Sequence, residues 1–263
     1  MSSQGRGIYL VKSIDLINYT YPWIVQKYVD NPLLIDNLKF DLRIYVLLLG
    51  VDPLRIYVYK DGIARFGTEE YDNPDKSNLS NMYMHLTNYA INKNNSGFYT
   101  GNQFDVEDRG HKRSLHSIWA LLSEEIGKDY WEALQKKIKS IIVKTMITVK
   151  NHLWHVYRSW QPKDMENSLC FEILGFDILV DDNLEPYLLE INHAPSFSTD
   201  TPLDFQVKHD LLRDAFRLLN LSVKRKWDYK VEQIRATQQR IFLINHKVNL
   251  VHLLHYKDIR QFF

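Results

Sequence analysis

The chain has 263 residues, 33 Lys and Arg against 32 Asp and Glu, 45% hydrophobic residues and one cysteine. That length suits one large domain with appendages, and a single cysteine, Cys170, excludes an internal disulfide framework and fits a reducing compartment. No apolar run approaches the ~20 residues of a membrane span and MSSQGRG is no signal peptide, so a soluble, cytoplasmic protein is expected. The net charge of +1 is unevenly spread: residues 221–263 hold nine Lys and Arg against three Asp and Glu, a surplus of six that leaves residues 1–220 at −5. A basic tail on an acidic body reads either as a surface for an anionic partner or as a solvated helix face.

The predicted elements begin with a glycine-containing turn near residue 5 and the short apolar run after it, as though the chain started in the middle of a domain. Trp23–Val29 (WIVQKYV) reads as strand-like. Leu38–Gly50 and Leu54–Gly67 are the clearest strands, rich in β-branched and aromatic residues and bounded by Asp-Pro and Asp-Gly turn signals. Within the first of them Lys39, Asp41 and Arg43 alternate with Phe40, Leu42 and Ile44, so period two gathers the charges on one face. That face is either a solvated ladder or the wall of a charged cleft.

Residues 68–113 are polar and Asn-rich, interrupted by MHLTNYAIN, and a loop this long is commonly functional. His85 within it reads as structural. Helical spacing follows, with Leu115, Ile118, Leu121 and Leu122 in one helix and Trp131, Leu134, Ile138, Ile141 and Ile142 in the next, broken near Gly127. Trp119, Trp131 and Trp154 read as core. Thr201 before Pro202 marks a helix start, running to about Asn220, and a basic helix over roughly residues 222–242 follows. The last twenty residues have no assignment, and the ten histidines show no zinc spacing.

The stretch LGFDILVDDNLEPYLLEIN (174–192) predicts a hairpin with strands Phe176–Val180 and Tyr187–Asn192 and a turn at Asp181–Pro186. Pairing Val180 with Tyr187 puts Asp177 directly opposite Glu190, an arrangement of like charges that destabilises a sheet and raises carboxylate pKa values unless something neutralises it. Asn192 shares the face of Glu190. Two carboxylates and an amide oxygen make a hard donor set suited to Mg²⁺; the alternative is a hydrogen-bonded buried acid beside a solvent-exposed one.

Four blocks in order, QGRGI, YPWIVQKYVDNPLLIDNLKFDLRIYVLLL, MHLTNYAINK and GFDILVDDNLEPYLLEINHAPSFSTD, resemble the tubulin-tyrosine-ligase-like family of ATP-grasp amino-acid ligases, most closely its polyglutamylase branch. The resemblance runs from Gln4 to about Thr201. It implies an α+β ATP-grasp fold, here the C-terminal half: a mixed or antiparallel sheet flanked by helices, followed by a basic helix. The implied division is 1–28 as remnant of the central subdomain, 29–220 as catalytic subdomain and 221–263 as basic extension. It also implies an acyl-phosphate route to an amide bond, with ATP and Mg²⁺ as cofactors and no Ser, Cys or His nucleophile.

By the same resemblance Gln4, Gly5, Arg6, Gly7 and Ile8 form the glycine-rich loop over the ATP phosphates. Gln26, Lys27, Tyr28 and Val29 form the adenine-holding hinge, and Lys39, Asp41, Thr87 and Asn88 contact the nucleotide. Arg43 and Arg65 are the catalytic cations, and Arg65 with Tyr89, Lys93 and His193 receives the incoming amino acid. Asp177, Glu190 and Asn192 are the Mg²⁺ ligands. For Lys39, Asp41 and Arg43 the resemblance favours the cleft over the ladder. The implied partners are the acidic tails of tubulin or microtubules and free L-glutamate, with no nucleic acid and no membrane. The implied state is a monomer, in the cytoplasm on the microtubule cytoskeleton, at a ciliary axoneme or basal body. Glycine or tyrosine ligation and an inactive microtubule-binding relative are the alternatives. The family's N-terminal domain, most of its central domain and a lysine upstream of the glycine-rich loop have no counterpart here. A truncated copy with weak or no ATP binding on its own is therefore expected.

Overall fold

The computed structural model describes residues 7–17, 20, 22–101, 110–162, 164, 170–221 and 223–259. The chain divides into two compact units, Met1–Ala215 and Phe216–Phe263.

The first unit is an antiparallel sheet with helices on its faces. In chain order its strands are β1 (Leu34–Ile35), β2 (Leu38–Val51), β3 (Leu54–Phe66), β4 (Lys112–Ser114), β5 (Glu172–Val180) and β6 (Pro186–Asn192). Side by side they run β4-β3-β2-β5-β6, with β1 also paired to β2. Its helices are α1 (Met82–His85), α2 (Tyr89–Asn92), α3 (Leu115–Glu125), α4 (Lys128–Trp160) and most of α5 (Pro202–Leu219), after a 3₁₀ turn at Ile14–Leu16; the second unit holds the end of α5 and the helix α6 (Val223–Ile259).

β2 and β3 form where β-branched and aromatic residues cluster, as expected. The break between α3 and α4 falls at Gly127, whose φ of 89° lies in the left-handed region that glycine occupies without a Cβ clash. α5 starts at Pro202 behind Thr201, whose hydroxyl accepts the Asp204 backbone N–H at 3.1 Å.

One sheet face carries Phe40, Leu42, Ile44, Val46 and Leu48 of β2 against Leu115, Ile118 and Leu122 of α3 and Trp131, Leu134, Ile138 and Ile142 of α4. Trp119 and Trp154 pack partly buried against the same core. The other face is apolar only at one end, where Tyr45 and Leu47 of β2, Ile63 of β3 and Ile173 of β5 meet Val207, Leu211 and Ala215 of α5. At the opposite end of that face stand Lys39, Asp41 and Arg43. Lys39 and Asp41 are buried at 6% and 2% exposure, so the solvated-ladder alternative does not hold. β2 is the central strand, flanked by β3 and β5, and their side chains enclose its charges.

Three expectations need correction. Trp23–Val29 forms no strand among the described residues. Ile24 is 98% exposed, so no packed face rewards pairing there. The basic helix extends well past residue 242, to Ile259, and takes in most of the unassigned tail. The hairpin begins earlier, at Glu172, and Pro186 belongs to β6 and pairs with Val180 in place of Tyr187.

Candidate active site

The register of the hairpin decides which face its acids occupy. Val180 pairs with Pro186, Leu179 with Tyr187 and Ile178 with Leu188, and a regular continuation would set Asp177 opposite Leu189. The ladder slips by one residue there, so Asp177 pairs with Glu190 and Gly175 with Asn192. Leu189 is thus the extra residue of a β-bulge, a device that re-aims the side chains beyond it. Were Leu189 paired with Asp177 instead, Glu190 and Asn192 would turn toward the apolar core with Leu188. The expected Asp177–Glu190 pairing is present, although the Val180–Tyr187 pairing that predicted it is not.

Four charged side chains from three adjacent strands interlock on this face. Asp177 of β5 stands opposite Arg43 of β2, and Asp41 of β2 opposite Arg65 of β3. Arg43 grips Asp177 in a fork, Nε on one carboxylate oxygen and Nη2 donating to the other at 2.8 Å. Arg65 donates from Nε to Asp41 at 2.8 Å and from Nη2 to both Asp41 and Asp177, the latter at 2.7 Å. Thr87 donates to Asp41 at 2.9 Å. Gly175 leaves room for this, since a Cβ there would lie 3.1 Å from Arg43 Cδ and 3.2 Å from Pro195. Burial alone would push the Asp177 carboxyl up, but the Arg65 and Arg43 charges outweigh it and hold the group below the usual carboxylate range. Burial likewise pulls on Arg65, and its two carboxylates more than offset that.

Glu190 is the uncompensated member. It stands exposed at the rim and accepts from the Asn192 amide at 3.1 Å. Burial of its carboxyl and the nearby Asp177 raise its pKa. The repulsion inferred from sequence therefore falls on Glu190 alone, because two arginines already neutralise Asp177. Glu190, Asn192 and the remaining lone pairs of Asp177 form an all-oxygen set that fits a hard divalent cation. The third donor is an amide, and among the described residues no group of three His, Cys, Asp or Glu is placed to hold a metal.

Lys39 lies at the other end of the row, donating to the Tyr28 hydroxyl at 2.9 Å with its ammonium 4.1 Å from the Tyr28 ring centroid. Burial lowers its pKa to about 8. Val29 is half-buried beside Tyr28, whereas Gly7, Ile8, Gln26, Lys27 and His193 are exposed and stand outside the network just described. Gln4, Gly5 and Arg6 lie outside the described residues. Asn88 precedes the single turn of α2, and Lys93 sits 5.4 Å from the Tyr89 ring centroid.

A second ionic cluster was not read from the sequence. Lys112 of β4, opposite Arg65, places its ammonium 4.1 Å over the Tyr89 ring and pairs with Asp204, which also takes Lys208 at 2.8 Å and the Thr201 hydroxyl at 2.7 Å. These contacts hold Asp204 below the usual range against the effect of its own burial. Asp204 three residues after Thr201 and Lys208 four residues on were legible as a capped helix start. That Lys112 closes the cluster from 92 residues away was not.

The chain matches the tubulin-tyrosine ligase family over residues 1–227. It is 48% identical over 240 residues to a protein named probable beta-tubulin polyglutamylase from Tetrahymena thermophila. It is 41% identical over 245 residues to tubulin polyglutamylase TTLL7 of Mus musculus and 44% identical over 241 residues to tubulin polyglutamylase TTLL13 of Homo sapiens. Each alignment takes in 91% of this chain but only 20%, 26% and 29% of the respective relative, so the chain spans between a fifth and three tenths of their length. With the family's features covering most of its residues, the chain belongs to the tubulin-tyrosine ligase family.

Proposed function

We propose that this chain carries catalytic machinery of a tubulin polyglutamylase, an ATP- and Mg²⁺-dependent ligase that joins free L-glutamate to glutamate side chains of tubulin tails. The observation that carries the reading is the Asp41–Arg65–Asp177–Arg43 network with Glu190 and Asn192 at its rim, in a chain whose relatives are named tubulin polyglutamylases. In the reaction the acceptor carboxylate takes the γ-phosphoryl group from ATP, releasing ADP. The amine of glutamate then displaces phosphate from the acyl carbon and loses a proton.

Arg43 and Arg65 present fixed guanidinium groups to the charge that develops at the phosphoryl group and at the substrate carboxylate. Asp41 and Asp177 orient them in advance, so little reorganisation accompanies the reaction. Asp177, Glu190 and Asn192 would hold Mg²⁺, which when bound neutralises phosphate charge. Lys39, Asp41, Thr87 and Asn88 with the hinge Gln26–Val29 would contact the nucleotide, as the family resemblance also implies for Gln4–Ile8. Tyr89, Lys93 and His193 join Arg65 around the amino acid. The α6 helix carries Lys224, Lys226, Lys230, Arg235 and Arg240 and suits the acidic tails. Among the described residues no helix is long and apolar enough to cross a membrane. A place on cytoplasmic microtubules, including those of cilia, follows from the substrate.

The test is a chimera in which residues 1–227 replace the matching segment of the Mus musculus relative, assayed for labelled glutamate and labelled glycine on microtubules. Glutamate incorporation that needs ATP and Mg²⁺ and is abolished by Glu190→Gln is expected. Glycine incorporation, or activity that survives Glu190→Gln, would overturn the reading.

A further inference from the structure

Three side chains from separate parts of the chain meet at the Lys39 end of the polar face. Lys39 of β2 donates to the Tyr28 oxygen at 2.9 Å, that oxygen lies 2.8 Å from Nδ1 of His85 in α1, and Nε2 of His85 lies 3.1 Å from the Asn78 carbonyl oxygen. A carbonyl oxygen only accepts, so Nε2 carries a proton. Burial draws the His85 pKa down, keeping the ring neutral and leaving Nδ1 as an acceptor. The Tyr28 hydroxyl therefore gives its proton to His85 and keeps its lone pairs for the Lys39 ammonium, which has donors only. The Tyr71 hydroxyl also interacts with Tyr28 but gives its own proton to the Asp30 carbonyl at 2.7 Å, so the order Lys39 to Tyr28 to His85 to Asn78 rests on the 2.8 Å contact between Tyr28 and His85. The rings reinforce it, with Tyr28 and His85 packed edge to face at 5.5 Å between centroids. Lys39 and His85 are 6% and 1% exposed, so water is a poor substitute for either partner.

We propose that His85 is a positioning residue of the ligase. By taking the Tyr28 proton it makes Tyr28 the acceptor that holds the Lys39 ammonium in place, and it ties the segment bearing Gln26–Val29 to the sheet. The proposal rests on the reading of Lys39 as a nucleotide contact. His85 lies in the HLTN stretch, two residues before Thr87, yet it acts through Tyr28 with its ring turned away from the Asp41 network. Loss of its acceptor nitrogen frees the Tyr28 hydroxyl to turn, and Lys39 loses a directed partner in a site where burial already weakens its hold on the proton.

The test measures acylation of the Lys39 amine by acetic anhydride, quantified by mass spectrometry of its peptide, in the full chain and, with and without millimolar Mg-ATP, in the chimera described above. Tyr28→Phe and His85→Leu should each speed acylation about three- to tenfold, and the double variant no more than either. His85→Asn, whose amide oxygen replaces Nδ1 as acceptor, should stay near the wild-type rate. Mg-ATP should slow acylation of the wild type and protect Tyr28→Phe less. Equal rates in wild type, Tyr28→Phe and His85→Leu, or additive effects in the double variant, would overturn the relay. A wild-type Lys39 that Mg-ATP leaves unprotected would overturn the nucleotide reading, and the positioning role with it. Tyr28→Phe removes a single oxygen from a half-buried ring and tests the Lys39–Tyr28 link, and His85→Phe, which keeps the ring bulk without the acceptor nitrogen, tests the His85 link where His85→Leu fails to fold.

Discussion

Asp177 and Glu190 face each other across β5 and β6, yet neutralising them should move stability in opposite directions. Asp177→Asn keeps the shape and removes the charge that two arginines share: the Arg43 fork and the 2.7 Å bond from Arg65. The side chains of Arg43 and Arg65 are 15% and 11% exposed, so the orphaned cations are poorly hydrated. Breaking a buried pair by removing one partner costs about 3–5 kcal/mol, which for a chain of this size lowers Tm by roughly 6–20 °C. Glu190→Gln removes a charge that neighbouring Asp177 disfavours, at an exposed rim where solvent screens the effect, so it should be neutral or stabilising by at most ~0.5 kcal/mol. The pH dependence separates the two further. The Asp177 pKa is depressed in the fold, so its contribution is present above the unfolded carboxylate value near 4 and is lost as pH falls through the folded value. The Glu190 pKa is raised, so its carboxyl favours the fold when protonated and that contribution is lost as pH rises through the folded value. Urea unfolding of wild type and both variants at pH 7 and pH 4 measures this. The Asp177→Asn deficit should be large at pH 7 and shrink in acid, and any Glu190→Gln gain should shrink in acid too. Equal losses from both substitutions, or a cost below ~1 kcal/mol for Asp177→Asn, would refute the assignment of Asp177 as the neutralised acid and Glu190 as the bare one.

Deleting Leu189 should straighten β6 yet leave Glu190 directly after Leu188 and still opposite Asp177, so glutamate incorporation by the chimera should survive the deletion as it survives Leu189→Ala. Lys39 should make wild type more stable as pH rises from about 8 toward its ordinary value of 10.5, because the unfolded chain then binds the extra proton. Denaturant midpoints over that range should show a gain of up to about 3 kcal/mol that is absent in Lys39→Met. Gly62→Ala should destabilise by about 1–3 kcal/mol in thermal unfolding, since a Cβ there meets the Arg43 carbonyl oxygen and lies 2.7 Å from Leu115 Cδ1.

Much of the molecule was legible because its signals are local. Alternation of charge and bulk along residues 38–50 specifies a strand with a distinct polar face, helical spacing marks α3 and α4, and Thr201-Pro202 starts α5 where a capping hydroxyl and a fixed φ belong. Trp23–Val29 shows the converse, because β-branched residues favour a strand only when a neighbour exists to pair with them. His85 read as structural from its sequence; its burial agrees with that, while its place between Tyr28 and Asn78 depends on contacts 57 and seven residues away.

The sequence by itself determined the two long strands β2 and β3, the break between α3 and α4, the start of α5 and the identity of the charged residues, since propensity, periodicity and capping act over a few neighbours. Only the tertiary structure decided what those charges do. Whether Lys39, Asp41 and Arg43 are solvated or enclosed depends on β3 and β5 lying on either side of β2. Which acid is neutralised depends on Arg43 and Arg65 arriving from different strands, and which face Glu190 and Asn192 occupy depends on the register slip that leaves Leu189 unpaired. Buried charges are stable only with partners, and those partners stand far away along the chain.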